Sequence, residues 1–163
     1  MVAQKRESIL HFANTAASDG AATYAAMNIG FNSADESLNA ETSDKQYIGQ
    51  SAATTVVNRV MPNIAYNMNI EKDDDVVKIF YDCHKLHTTD KTIEIVHVFT
   101  FETATENGFP AIKRTYTIQP ETGAFAGDGG SEIELTGNLA QVPNSEVQGY
   151  FDTTTKTFKA DGE

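Results

Sequence analysis

Residues 63–101 read NIAYNMNIEKDDDVVKIFYDCHKLHTTDKTIEIVHVFTF, and the hydrophobic period changes twice inside them. Ile64, Tyr66, Met68 and Ile70 alternate with Asn63, Ala65, Asn67 and Asn69, the period of a strand with one buried and one polar face. From Asp73 to Leu86 the apolar residues Val76, Val77, Ile79, Phe80, Cys83 and Leu86 instead recur every third or fourth position, as on one face of an amphipathic helix. Asp73, Asp74 and Asp75 fall where an N-cap and first-turn acids belong, and Lys85 and His87 fall at the other end, so both ends favour the helix dipole. Val76, Phe80 and Cys83 are the expected packing face of this helix against a sheet. Period two then returns: Ile93, Ile95, Phe99 and Phe101 share one face with His97 among them. Glu94, Val96, Val98, Thr100 and Glu102 form the other face, whose mixed composition suits a contact with another subunit.

Further alternations follow in Ile112, Arg114, Tyr116, Ile118 and in Ile133, Leu135, Leu139, and residues Val147 to Lys159 read as a closing hairpin turning near Thr153–Thr155. The β-branched and aromatic content of these runs suits strands. The stretch from Phe31 to Thr55 is polar and holds only Leu38, Tyr47 and Ile48 as large apolar residues after Phe31, yet it lacks proline and compositional bias. A structureless loop of that length is unusual in a compact domain. Continuing the alternation Met27, Ile29, Phe31, the stretch is expected to be a long β-hairpin, about residues 24–57, projecting from the body and supported by neighbouring chains. The expectation is a mainly β single domain over 1–163. It is a β-sandwich of about seven or eight strands with one flanking α-helix, about residues 73–86.

The 163 residues suffice for one domain with a real core, and 40% are hydrophobic. No apolar run reaches the roughly 18 residues of a membrane span, and the start MVAQKRESILHF lacks the apolar core of a secretory signal, which predicts synthesis in a cytoplasm and no membrane partner. The formal charge of −11 argues against binding nucleic acid by neutralising phosphates. Cys83 is the sole cysteine, so neither an internal disulfide nor a multi-cysteine zinc framework is possible.

The chemical candidates each have a plainer reading. In Cys83-His84-Lys85-Leu86-His87, a helix places Cys83 and His87 on one face and His84 elsewhere, too few ligands for zinc without help from distant strands. His97 on an apolar strand face reads as a hydrogen-bonded interior or interface residue. Asp73–Asp75 lack the alternating ligands and central glycine of a calcium loop. Gly127-Asp128-Gly129-Gly130-Ser131 reads as a tight turn, because no lysine follows in phosphate-loop fashion and Asp128 repels phosphate. No GxSxG elbow or nucleophile beside a base is visible, so no catalytic residue, metal or cofactor is expected and the chain reads as a non-enzyme.

Two stretches carry a family resemblance. Tyr47-Ile48 precedes Ala53-Thr54-Thr55-Val56-Val57 and a strand ending near Met68; later, Gly127-Asp128-Gly129-Gly130 precedes a strand to Gly137 and an ending of the form V-x-G-x-F-x-x-x-T-K-x-F, Val147 to Phe158. With the Asp-led helix between two strands, this order of elements over residues 40–159 resembles the major tail tube proteins of long-tailed bacteriophages. The resemblance implies a structural virion protein, made in the host bacterial cytoplasm and resident in the tail. Hexameric rings of it would self-assemble by stacking into a tube, meet other tail proteins at the tube ends, and conduct DNA without binding it specifically. In that setting the projecting hairpin joins an inter-subunit barrel, and Asp35, Glu36, Glu41 and Asp44, against Lys45, are expected to line the lumen. The competing reading is a carbohydrate- or receptor-binding β-sandwich, an adhesin or virion decoration protein; the absence of tryptophan weighs against it.

Overall fold

A computed structural model describes residues 3–16, 20–71 and 73–162. Its elements are β1 (Ile9–Asn14), β2 (Tyr24–Ala26), β3 (Phe31–Ser37), β4 (Glu41–Lys45), β5 (Thr54–Arg59), β6 (Asn63–Asn69), helix α1 (Asp75–Leu86), β7 (Thr92–Phe99), β8 (Phe109–Pro120), β9 (Glu134–Gln141), β10 (Val147–Asp152) and β11 (Thr157–Ala160). The architecture is mainly β with one flanking helix, as the periodicity predicted. The eleven strands exceed the seven or eight expected from alternation, because several short or solvent-covered strands carry no apolar pattern.

One antiparallel sheet runs β2-β1-β7-β8-β9-β6-β3. β8 organises it. One edge of β8 pairs with β7 from Thr92 opposite Thr117 to Val98 opposite Ala111. Its other edge pairs first with β10, then from Tyr116 to Pro120 with β9. The sheet folds over so that Ala13, Ile93 and Ile95 on one half pack toward Ile64, Tyr66, Met68, Leu135 and Leu139 on the other. Gly137 interrupts the Leu135–Leu139 alternation for a physical reason. The Tyr66 hydroxyl and the Gln119 carbonyl lie so close over it that a Cβ would collide with both.

Helix α1 seals one end of this core. Asp74 is its N-cap, its Oδ1 accepting from the Val76 and Val77 amides at 2.9 and 3.0 Å. His87 closes it in the left-handed region, φ 54°, with its amide bonded to the Cys83 carbonyl. Val76, Val77, Phe80 and Cys83 are buried, as their spacing predicted. Phe80 sits edge-to-face on Tyr66 and Phe31, ring centroids 5.0 and 5.1 Å apart. Leu86, assigned to the same face, is instead 70% exposed, and in the last turn Cys83 and His84 take the interior positions.

A second apolar layer lies on the outer side of β1, β7 and β8, formed by Phe12, Tyr24, Val96, Val98, Ala111 and Phe151. This corrects the expectation that Val96 and Val98 wait for another subunit. Tyr24 of β2 and Phe151 of β10, from the same chain, already cover them. The β10–β11 hairpin that supplies Phe151 is held at its turn by Asp152, whose Oδ1 accepts from the Thr154 amide at 2.8 Å.

The projecting hairpin exists, with different bounds from those predicted. β3 pairs with β6 from Ser33 opposite Asn67 to Ser37 opposite Asn63 and forms its root. β4 pairs only with β5 and forms its arm, with residues 46–53 at the tip. The hairpin therefore runs from β3 to β6, not over residues 24–57. Residues 27–30 turn the chain between β2 and β3, where Gly30 adopts φ +82° and a Cβ would come within 2.9 Å of the Val77 side chain. That turn breaks the alternation assumed from Met27 to Phe31, and leaves Ile29 exposed.

Candidate functional site

The arm is the part of the molecule that its own chain does not support. Every residue of β5 is exposed, and all of β4 except Ser43, which is half-buried. Leu38, Tyr47, Ile48, Val57, Val60 and Met61 are large apolar side chains left in solvent along the arm and its junction with the root. A lone two-stranded ribbon is marginal in water, and β4 and β5 each present an unpaired edge. Apolar surface combined with open edges is the signature of a contact surface.

The four acids predicted to line a lumen do not form one group. Asp35 is exposed on the outward face of β3, while Glu36, the next residue along, turns to the opposite face. There Glu36 accepts from Arg114 Nη1 at 3.2 Å, and Arg114 also holds Glu146 at 2.9 Å. Glu41 pairs with Arg59, which arrives from β5 directly opposite in the ladder. Asp44 accepts from the Thr55 hydroxyl at 2.7 Å. Glu36 and Glu41 thus have arginine partners that a count along residues 35–45 misses.

A different acidic and amide-rich surface emerges on the outward face of β3, β6 and β9. Asn32 donates to both Asn67 and Asn69 at 3.1 Å. Asn67 donates to Glu134, Asn69 to Glu132, and Asn138 to Glu121. Asp35 and Ala65 stand opposite each other in the same layer. β3, β6 and β9 contain no lysine or arginine. The signal was present in the sequence as the polar half of the Asn63–Asn69 alternation, but its extension onto β9 needs the strand order.

Sequence reasoning also missed His84. It is fully buried, with Nδ1 donating to the Thr122 carbonyl at 2.6 Å and Nε2 accepting from the Tyr66 hydroxyl at 2.8 Å. Burial pushes its pKa down, opposed by the carbonyl bond. It ties α1 to β6 and to the segment after β8. Among the described residues no group of three or more His, Cys, Asp or Glu is placed to hold a metal ion. Burial raises the pKa of the Cys83 thiol, consistent with a packing residue. Among the described residues no helix is long and apolar enough to cross a membrane.

No protein-family model and no curated protein matches this chain. Solved structures do. A chain described as "Tail of empty GTA particle computed with helical refinement, C6 symmetry" superposes at a TM-score of 0.59 with 14% identity, covering 92% of this chain and 100% of that one. A chain of the anti-feeding prophage (AFP) baseplate, 6-fold symmetrised, aligns at a TM-score of 0.49 with 9% identity, covering 86% of this chain and 89% of that one. At such identity the first likeness establishes a shared fold over nearly the whole chain.

Proposed function

We propose that this chain is a non-catalytic structural protein of a phage-type tail that assembles as stacked hexameric rings into a tube and conducts DNA. The observation that carries the reading is the β4–β5 arm, an extended ribbon with open edges and exposed apolar side chains, surfaces that neighbouring copies in a ring would cover. The shared fold with a tail chain described with C6 symmetry supports it. A closed ring requires a heterologous interface whose rotation returns on itself, and the arm with the free edge of β3 offers unlike surfaces for one.

The DNA path is best assigned to the outward face of β3, β6 and β9. Acids and amides on three strands that themselves carry no lysine or arginine give phosphate little to condense on. Asp35 belongs to that face, Glu36 does not, and Glu41 is offset by Arg59. The sugar-binding alternative has less to stand on, since Tyr24, Tyr66 and Tyr116 are buried in the core.

The test is charge reversal on that face. Asp35→Lys with Asn138→Lys should leave the fold intact, because both lie on the solvent side of their strands, and should slow DNA ejection more at low salt than at high salt. Ejection at the wild-type rate at both salts, from tails that look normal by microscopy, would remove this face from the DNA path.

A further inference from the structure

β2 covers β1 only from Phe12 to Asn14, and the uncovered start of β1 faces β3 across a cavity of about 200 Å³. Arg6, His11, Glu36, His97 and Arg114 line it among apolar side chains. Neither the arm nor the proposed DNA path uses this cluster.

Its hydrogen bonds form a chain with one direction. Arg6 Nη2 lies 2.6 Å from His11 Nε2, and a guanidinium can only donate, so Nε2 accepts. Neutral His11 must then carry its proton on Nδ1, which lies 2.7 Å from His97 Nδ1. That atom accepts in turn, which places the His97 proton on Nε2, 2.8 Å from the Tyr116 hydroxyl. One arginine therefore fixes both tautomers. Any added proton breaks a link. On His11 Nε2 it would face an Arg6 N–H, and on His97 Nδ1 it would face the His11 N–H.

We infer that the Arg6–His11–His97–Tyr116 chain is a proton-operated latch that holds the Arg6 end of the Arg6–Ser8 turn against β3, while β7 keeps the start of β1 in the sheet, and lets go when either histidine takes up a proton. Arg6 makes the connection, donating also to the Ile9 carbonyl at 3.1 Å and to the Ala34 carbonyl of β3 at 3.4 Å. The groups around the histidines oppose a new positive charge. Arg6 comes from the turn, Arg114 and the Tyr116 hydroxyl from β8. On β3, Glu36 is engaged by Arg114, as is Glu146 beyond it, and Asp35 stands at the exposed rim. Burial, then Arg6, lowers the His11 pKa to about 4; burial, then His11 and the two arginines, lowers that of His97 to about 3. Both folded values lie below the ordinary 6.5, so the unfolded chain binds more protons in between. The latch is whole above about pH 6.5 and is lost as pH falls toward 4. Because β3 is a free edge of the sheet, the latch also sets whether that edge is capped. This device does not depend on the chain building a tube.

Long-range ¹H–¹⁵N correlation spectra of the histidine rings in the full chain test it directly. At pH 7.5 His11 should be the Nδ1–H tautomer and His97 the Nε2–H tautomer, with neither titrating between pH 7 and 6. Arg6→Met, a change at an exposed side chain, should raise the His11 midpoint toward its ordinary value, because it removes the neighbouring positive charge and leaves burial, the larger cause, in place. Finding His11 as the Nε2–H tautomer, a midpoint near 6.5 in the unaltered protein, or no movement of the midpoint in Arg6→Met would overturn the latch.

Discussion

Phe80 shows what a single residue decides in this molecule. It is wholly buried between Tyr66 of β6 and Phe31 of β3, so one side chain fastens the helix to the root of the hairpin. Phe80→Ala should lower stability by about 3–5 kcal/mol, read as a drop in the denaturant midpoint at unchanged slope. A negligible shift would mean that α1 is not seated as described. The packing role of Val76, Phe80 and Cys83 was legible in the sequence because helical period is local: the residues that define the face lie within two turns. His84 was not legible. Its partners Tyr66 and Thr122 are 18 and 38 positions away, and a helical histidine next to a lysine reads as solvent-facing until both partners are placed.

At the scale of elements, helix boundaries read well and strand partners read poorly. The Asp73–Asp75 run marked the start of α1, and Asp74 does the capping. Asp74→Ala should cost about 1 kcal/mol, because two first-turn amides lose their acceptor. Asp73 sits at φ 73°, where glycine is at ease, so Asp73→Gly should be neutral or slightly stabilising. Equal losses from both substitutions in thermal melts would show that the acids act only through general charge. Alternation located β6 but could not say that it is the return strand of the hairpin, since pairing is a long-range property. Nor could it find β4 and β5, whose side chains no part of their own chain buries. That same lack of cover predicts their dynamics. Arm amides should exchange with solvent within seconds in the monomer and become protected upon assembly, measured by hydrogen exchange. Protection already present in the monomer would mean that the arm is supported within its own chain.

For the molecule as a whole, the sequence conveyed the class of the fold and the excess of negative charge, while the placement of that charge had to come from strand order. The acids of residues 35–45 are divided between two faces and partly offset by Arg59 and Arg114, whereas the cation-free layer on β3, β6 and β9 draws on residues as far apart as Asp35 and Asn138. Among the described residues no strand pairs with the outer edges of the arm or of β3, where Arg6 alone reaches the Ala34 carbonyl, and a closed ring of copies would give these surfaces and this layer a role. Electron microscopy of the purified protein at rising concentration, alone and with a nucleating tail-tip complex, tests that claim most directly. The expected particles are rings with six-fold symmetry, or tubes of stacked rings, with the arm ordered against a neighbouring copy. Particles that remain monomeric at every concentration, with and without the nucleating complex, would contradict it.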